Sequence, residues 1–101
     1  MLKTLTLVIG VLVLGLGNIA FAGDAAAGKE KSVMCAACHG ADGIATQPIY
    51  PNLAGQQEEY LVMATKAYRD GVRDNELMKM FLMSLTDDDI ANLAAYFSSL
   101  K

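Results

Sequence analysis

Apolar and polar positions change their rhythm several times along this chain. Leu5 to Leu16 is an apolar run broken only by Thr6 and small glycines. Helical spacing begins after Asp24, where Gly23-Asp24 followed by Ala25-Ala26-Ala27 reads as an N-cap and helix start. That helix is expected to run through Lys29 to Met34 and to deliver Cys35 on its last turn. Gly28 lies inside it, either because a neighbouring backbone comes close there or because the glycine is merely tolerated, at ~1 kcal/mol against alanine. From Gly40 to Gly55 the periodicity disappears among glycines, Asp42, Thr46, Asn52 and two prolines, which marks a loop.

Helical rhythm returns at Gln56 or Gln57. Tyr60, Met63, Ala64, Ala67 and Tyr68 fall at three- and four-residue steps, Glu58 and Glu59 occupy the first turn, and Gly71 follows as the terminating glycine. This predicts a helix over Glu58 to Asp70, with Met34 and Met63 as core. A short helix is expected near Glu76 to Leu82. The last element has the clearest signals: Thr86 with Asp89 approximates a capping box, Asp87 and Asp88 add negative charge where the helix dipole favours it, and Ile90, Leu93, Ala94, Phe97 and Leu100 form one stripe. Its expected partner is the first helix. No strand pattern or internal repeat occurs, so the fold class is all-α, with three main helices plus a short one.

The opening run reads as an address. Lys3 precedes it, Ala20-Phe21-Ala22 offers an A-x-A cleavage site, and the run is short for a membrane span of ~20 residues. Residues 1–22 are therefore expected to be a signal peptide, leaving one domain over 23–101. Membrane contact arises only if the leader is retained as an anchor. The formal charge of −3 becomes −4 once Lys3 is lost with the leader. No basic cluster exists, which argues against a nucleic-acid partner. A domain of 79 residues has little core to set against its chain entropy, and domains below ~80 residues usually rely on an added element such as a disulfide, a metal or a cofactor.

Candidate chemistry concentrates in Cys35-Ala36-Ala37-Cys38-His39. C-x-x-C-H is the attachment pattern of a c-type haem: two thiols on one side of a helical turn form thioethers, and the adjacent imidazole binds iron. Other readings compete. A structural zinc site needs four ligands, and the chain holds two cysteines and one histidine. A thioredoxin-like redox pair uses C-x-x-C but in a βαβ context, whereas these flanks read as helix. A disulfide across two residues would close a small, strained loop and leave His39 unexplained. If haem is bound, the 40–55 loop can wrap its proximal face, and the carbonyl of Pro51 can accept the Nδ1 proton of His39, as a ligating histidine usually requires. Met78, Met80 and Met83 crowd the segment that could cover the distal face, where a thioether would complete the coordination. Methionines are more often packing material.

Cys35 to Gly40, Pro51-Asn52-Leu53-Ala54-Gly55-Gln56, Tyr60-Leu61, Arg69-Asp70-Gly71 and Asp89 to Phe97 together resemble the small bacterial class I c-type cytochromes. The likeness spans nearly all of the mature chain. It is greatest for the group that includes one half of the dihaem periplasmic cytochromes, and with no second C-x-x-C-H a monohaem form is implied. The resemblance implies a class I cytochrome c fold wrapped around one covalent haem c. It assigns Cys35 and Cys38 to the thioethers, His39 to the proximal position and Pro51 to the carbonyl that receives its far nitrogen. The family's distal methionine lies seven residues before the leucine preceding the cap of the last helix; counted from Leu85, that is Met78, with Met80 the second choice. The implied function is a periplasmic one-electron carrier, not an enzyme, passing electrons between redox proteins such as an oxidase, a reductase or a dehydrogenase, as a monomer or within a complex. The alternatives are a haem-bearing subunit of a larger periplasmic oxidoreductase and, if the distal sulfur is weak, a small-ligand or peroxidase-like haem protein.

Overall fold

The first helix is set by a single side chain. Asp24 Oδ1 accepts hydrogen bonds from the N–H groups of Ala26 (2.9 Å) and Ala27 (3.3 Å), satisfying donors that a helix N-terminus leaves open. In the computed structural model, which describes residues 3–10 and 23–101, the order is α1 (Ala25–Lys31), a 3₁₀ turn (Ser32–Cys35), α2 (Ala36–His39), α3 (Glu58–Arg69), α4 (Glu76–Leu82) and α5 (Asp87–Ser99). The described residues contain no strand. Residues 3–10 form no regular element and are exposed, and the expected cleavage site at Ala20-Phe21-Ala22 lies outside the described residues. No helix among the described residues is long and apolar enough to cross a membrane.

The first helix departs from expectation. It does not run unbroken to Met34 but tightens into the 3₁₀ turn at Ser32. The Ser32 hydroxyl donates to the Lys29 carbonyl at 2.6 Å, competing with the backbone ladder just before β-branched Val33. The tightened turn passes the chain into α2, which carries Cys38 and His39 and stops at Gly40 (φ +84). A side chain on Gly40 would meet the Ile44 carbonyl, so only glycine fits that reversal.

Two helices make the scaffold. The Thr86 hydroxyl accepts from the Asp89 N–H (3.1 Å) and the Asp89 carboxylate from the Thr86 N–H (3.0 Å), a reciprocal capping box that starts α5. Ile90, Leu93, Ala94 and Phe97 are buried along one face of α5, Tyr96 joins them, and Leu100 packs at the edge. Helix α1 crosses this helix, as its stripe implied. Gly28 sits directly against the Asn92 carbonyl, and the Asp24 N–H donates to Asn92 Oδ1 at 2.8 Å. The close-approach reading of Gly28 is therefore the correct one.

Of the stripe expected on α3, Tyr60, Ala64 and Tyr68 do line the central cavity, but one member fails. Met63 is 62% exposed and Tyr60 42% exposed, so Met63 is not core; Leu61 is buried instead and leads an inward row with Ala64, Thr65 and Tyr68. Both rows have helical spacing and share Ala64 and Tyr68; the inward one takes Leu61 in place of Met63. The end of α3 is clamped to the start of α5 by Arg69, which pairs with Asp70 (2.9 Å) and Asp87 (2.7 Å) and donates to the Leu85 carbonyl (3.3 Å). Helix α4 occupies the span expected for the short helix, capped by Asn75.

Candidate haem-binding site

These elements enclose a cavity of about 300 Å³. Leu61 from α3, Leu82 from α4, and Leu93 and Phe97 from α5 contribute buried apolar side chains to it. The same cavity is lined by Cys35, Cys38 and His39, by Pro51 from the glycine-rich loop, and by Met78 from α4. Every site residue expected from the sequence thus borders one space. Met80 and Met83 do not: they are 63% and 67% exposed and lie outside the lining.

His39 is the most informative member. It is buried, and its Nδ1–H donates to the Pro51 carbonyl oxygen at 2.8 Å, which fixes the proton on that nitrogen. The other ring nitrogen, Nε2, which carries the lone pair of a neutral imidazole, is buried and without any hydrogen-bond partner. Leaving such a group unsatisfied costs ~1–3 kcal/mol, and nearly all buried polar atoms avoid it. A lone pair facing a cavity, with the opposite N–H held by a carbonyl, is the arrangement of a metal-ligating histidine.

The cysteines fit thioether attachment better than the competing chemistries. Burial, reinforced by neighbouring Cys38, pushes the Cys35 thiol up to about 11. A redox-active C-x-x-C needs the opposite shift, because its nucleophile is a thiolate. The two sulfurs are not joined to each other. Among the described residues no group of three or more His, Cys, Asp or Glu side chains could hold a metal ion. Cavity, cysteine pair and the partnerless His39 nitrogen together fit a haem that Cys35 and Cys38 would hold and His39 would ligate.

Asn75 and Arg73 are among the lining residues that had no place in the sequence reading. Asn75 holds α4 through its cap, and an Asn immediately before Glu76 at an expected helix start was a usable signal. Arg73 has no sequence signal; it is one polar residue in a polar turn.

The Cytochrome c family model matches residues 25–101. The chain belongs to that family. This cytochrome is 54% identical over 81 residues to cytochrome c-554(548) of Halomonas halodenitrificans, covering 77% of this chain and 98% of that one. It is 49% identical over 92 residues to cytochrome c4 of Pseudomonas aeruginosa, covering 90% of this chain but 46% of the relative. Among solved structures, reduced recombinant cytochrome c4 from Pseudomonas stutzeri superposes with a TM-score of 0.76 at 42% identity, over 79% of this chain and 47% of that one. The chain thus spans nearly the whole of the Halomonas cytochrome and about half the length of the cytochromes c4. The all-α arrangement is the class I cytochrome c fold. The cofactor is one covalent haem c with its iron, and the chain is a haem-based electron carrier.

Proposed function

We propose that this cytochrome is a periplasmic one-electron carrier. Cys35 and Cys38 would hold the haem through thioethers, His39 Nε2 and the Met78 sulfur would ligate its iron, and the Pro51 carbonyl would orient His39. The observation that carries this reading is the buried, partnerless Nε2 of His39 in a cavity that Met78 also lines. Residues 1–22 direct export and are removed, leaving 23–101 as the working domain. The sequence of Lys3, apolar run and Ala20-Phe21-Ala22 supports that step.

Bound haem supplies the chemistry, cycling its iron between ferric and ferrous states. The chain supplies geometry and environment. Pro51 holds the Nδ1 proton, so the Nε2 lone pair keeps one direction in both redox states. Met78 offers a soft sulfur, which favours a high potential. Leu61, Leu82, Leu93 and Phe97 exclude water from the inner part of the cavity and disfavour added charge there. The close contact of α1 with α5 at Gly28 and Asn92 gives the cavity a rigid wall.

Partners are redox proteins that meet the haem edge briefly; such encounters bury little area, below ~1,200 Å² in total. Leu77 and Phe81 line the cavity and are also 47% and 40% exposed, which places apolar contact surface beside the site. That surface is the observation favouring the second reading, a haem subunit held permanently by a larger periplasmic oxidoreductase. Gel filtration of a periplasmic extract in high salt separates the two: a carrier migrates alone, a subunit comigrates with its enzyme.

The direct test of the proposal is a spectrum of the purified protein before and after acid–acetone extraction, with and without carbon monoxide. The expected result is haem retained on extraction, low-spin bands, and no change on adding carbon monoxide to the reduced form. Extractable haem would remove the thioether assignment; a carbon monoxide complex would favour a ligand-binding protein.

A further inference from the structure

Arg73 is the only side chain with a permanent charge among the described residues lining the cavity, and no carboxylate lines it. It lies in the turn between α3 and α4, fixed there by a hydrogen bond from its own N–H to the Ala67 carbonyl at 3.0 Å. Its guanidinium carbon stands 4.7 Å from the centre of the Tyr68 ring, and Nη1 lies 3.5 Å from the Tyr60 hydroxyl. Both tyrosines line the same cavity. Arg69, four residues earlier, is engaged by Asp70, Asp87 and the Leu85 carbonyl. Arg73 has no carboxylate within ion-pair distance among the described residues.

We propose that Arg73, held against the face of Tyr68 at the cavity, is the binding site for a haem propionate and thereby raises the reduction potential. This rests on the haem reading above. A haem is an apolar disc with two carboxylates, and a cavity with mostly apolar lining accepts the disc far better than the acids. Such carboxylates need charge-assisted donors, and a guanidinium offers a planar fork that matches a carboxylate with two parallel N–H···O bonds. Stacking on Tyr68 pre-orients the fork by cation–π attraction and leaves its edge N–H groups available. Gln56 Nε2, a neutral donor on the same lining, already donates to the Asn52 carbonyl at 3.3 Å. A fixed positive charge beside the haem favours the oxidation state with one more electron, so the potential rises.

The test uses the holoprotein with R73Q, which removes the charge, and R73K, which keeps the charge but loses the fork and the stacking. The midpoint potential is read by spectroelectrochemical titration and the propionate bending mode by resonance Raman. R73Q is expected to titrate at a lower potential with a shifted propionate mode. R73K is expected to recover most of the potential but not the mode. R73Q at the wild-type potential with an unmoved mode overturns the proposal, even if its melting temperature falls, because a purely structural arginine would affect only the melt. Failure of the underlying haem reading would show separately, as absence of covalent haem in the wild type, and would overturn both.

Discussion

Asn75 caps the helix that carries Met78 by accepting a hydrogen bond from the backbone N–H of Met78 itself, at 3.0 Å. Helix α4 has seven residues, too few to be stable alone, so its first turn depends on that cap and on tertiary packing. Asn75→Ala is expected to cost ~1 kcal/mol, with Asn75→Asp or Asn75→Ser recovering most of it. Because the lost bond is to Met78, the variant should also admit external ligands such as imidazole to the ferric haem more readily than wild type. Thermal melts and an imidazole titration check the two effects together; a destabilised variant with unchanged imidazole affinity would detach the cap from the ligand.

Gly28→Ala tests the crossing of α1 and α5. Alanine is the better helix former by ~1 kcal/mol, but its Cβ would overlap the Asn92 carbonyl, a backbone group that cannot turn aside. Overpacking at a fixed contact costs ~1–3 kcal/mol or more, so the net effect is destabilising. A lower melting temperature of the holoprotein is expected. An unchanged or raised value would mean that the helices can separate without cost.

Acid lability has identifiable sources. Hydrogen bonding to Arg69 holds the Asp70 carboxyl below its ordinary 3.8, and the Thr86 N–H, aided by Lys31, does the same for Asp89. A carboxyl depressed on folding stabilises the native state above its unfolded value and loses that contribution as pH falls through the folded one. Stability should therefore decline as pH drops below about 3.8, less steeply in Asp89→Asn, and the difference should shrink in salt because Asp70 is exposed and Asp89 only half-buried. Melts between neutral pH and pH 3 check this; an identical acid limb in Asp89→Asn would contradict it.

Removing both thiols, as Cys35→Ala with Cys38→Ala, should make the haem extractable. It should also lower the melting temperature, since a domain of this size has a cavity of about 300 Å³ where its core would otherwise be. Circular dichroism of the haem-free variant should show reduced helicity. Full native helicity without haem would show that the α1–α5 scaffold is self-sufficient.

Much of this was legible in the sequence where signals are local. Thr86 and Asp89 announce α5 because each satisfies the other's backbone, and Asp24 does the same for α1. The break at Ser32 was not legible, since serine within a helix can point to solvent as easily as bond back to Lys29. On α3 the sequence placed Ala64 and Tyr68 inward but took Met63 for core in place of Leu61, because Tyr60, Leu61, Val62 and Met63 are consecutive and periodicity alone cannot choose among them. Met78 came from counting against a family pattern. The helix explains why its neighbours differ: Met80 is two residues further on, about 200° around the axis. Asn75 was legible as a cap before Glu76, whereas Arg73 sits in an aperiodic turn, where only the assembled cavity gives it meaning.

The most direct measurement is the sulfur-to-iron charge-transfer band of the ferric protein in wild type, Met78→Ala and Met80→Ala. The band should be present in wild type and Met80→Ala and absent in Met78→Ala, with haem still attached in all three. A band that survives Met78→Ala would contradict the axial assignment and move the ligand to another methionine.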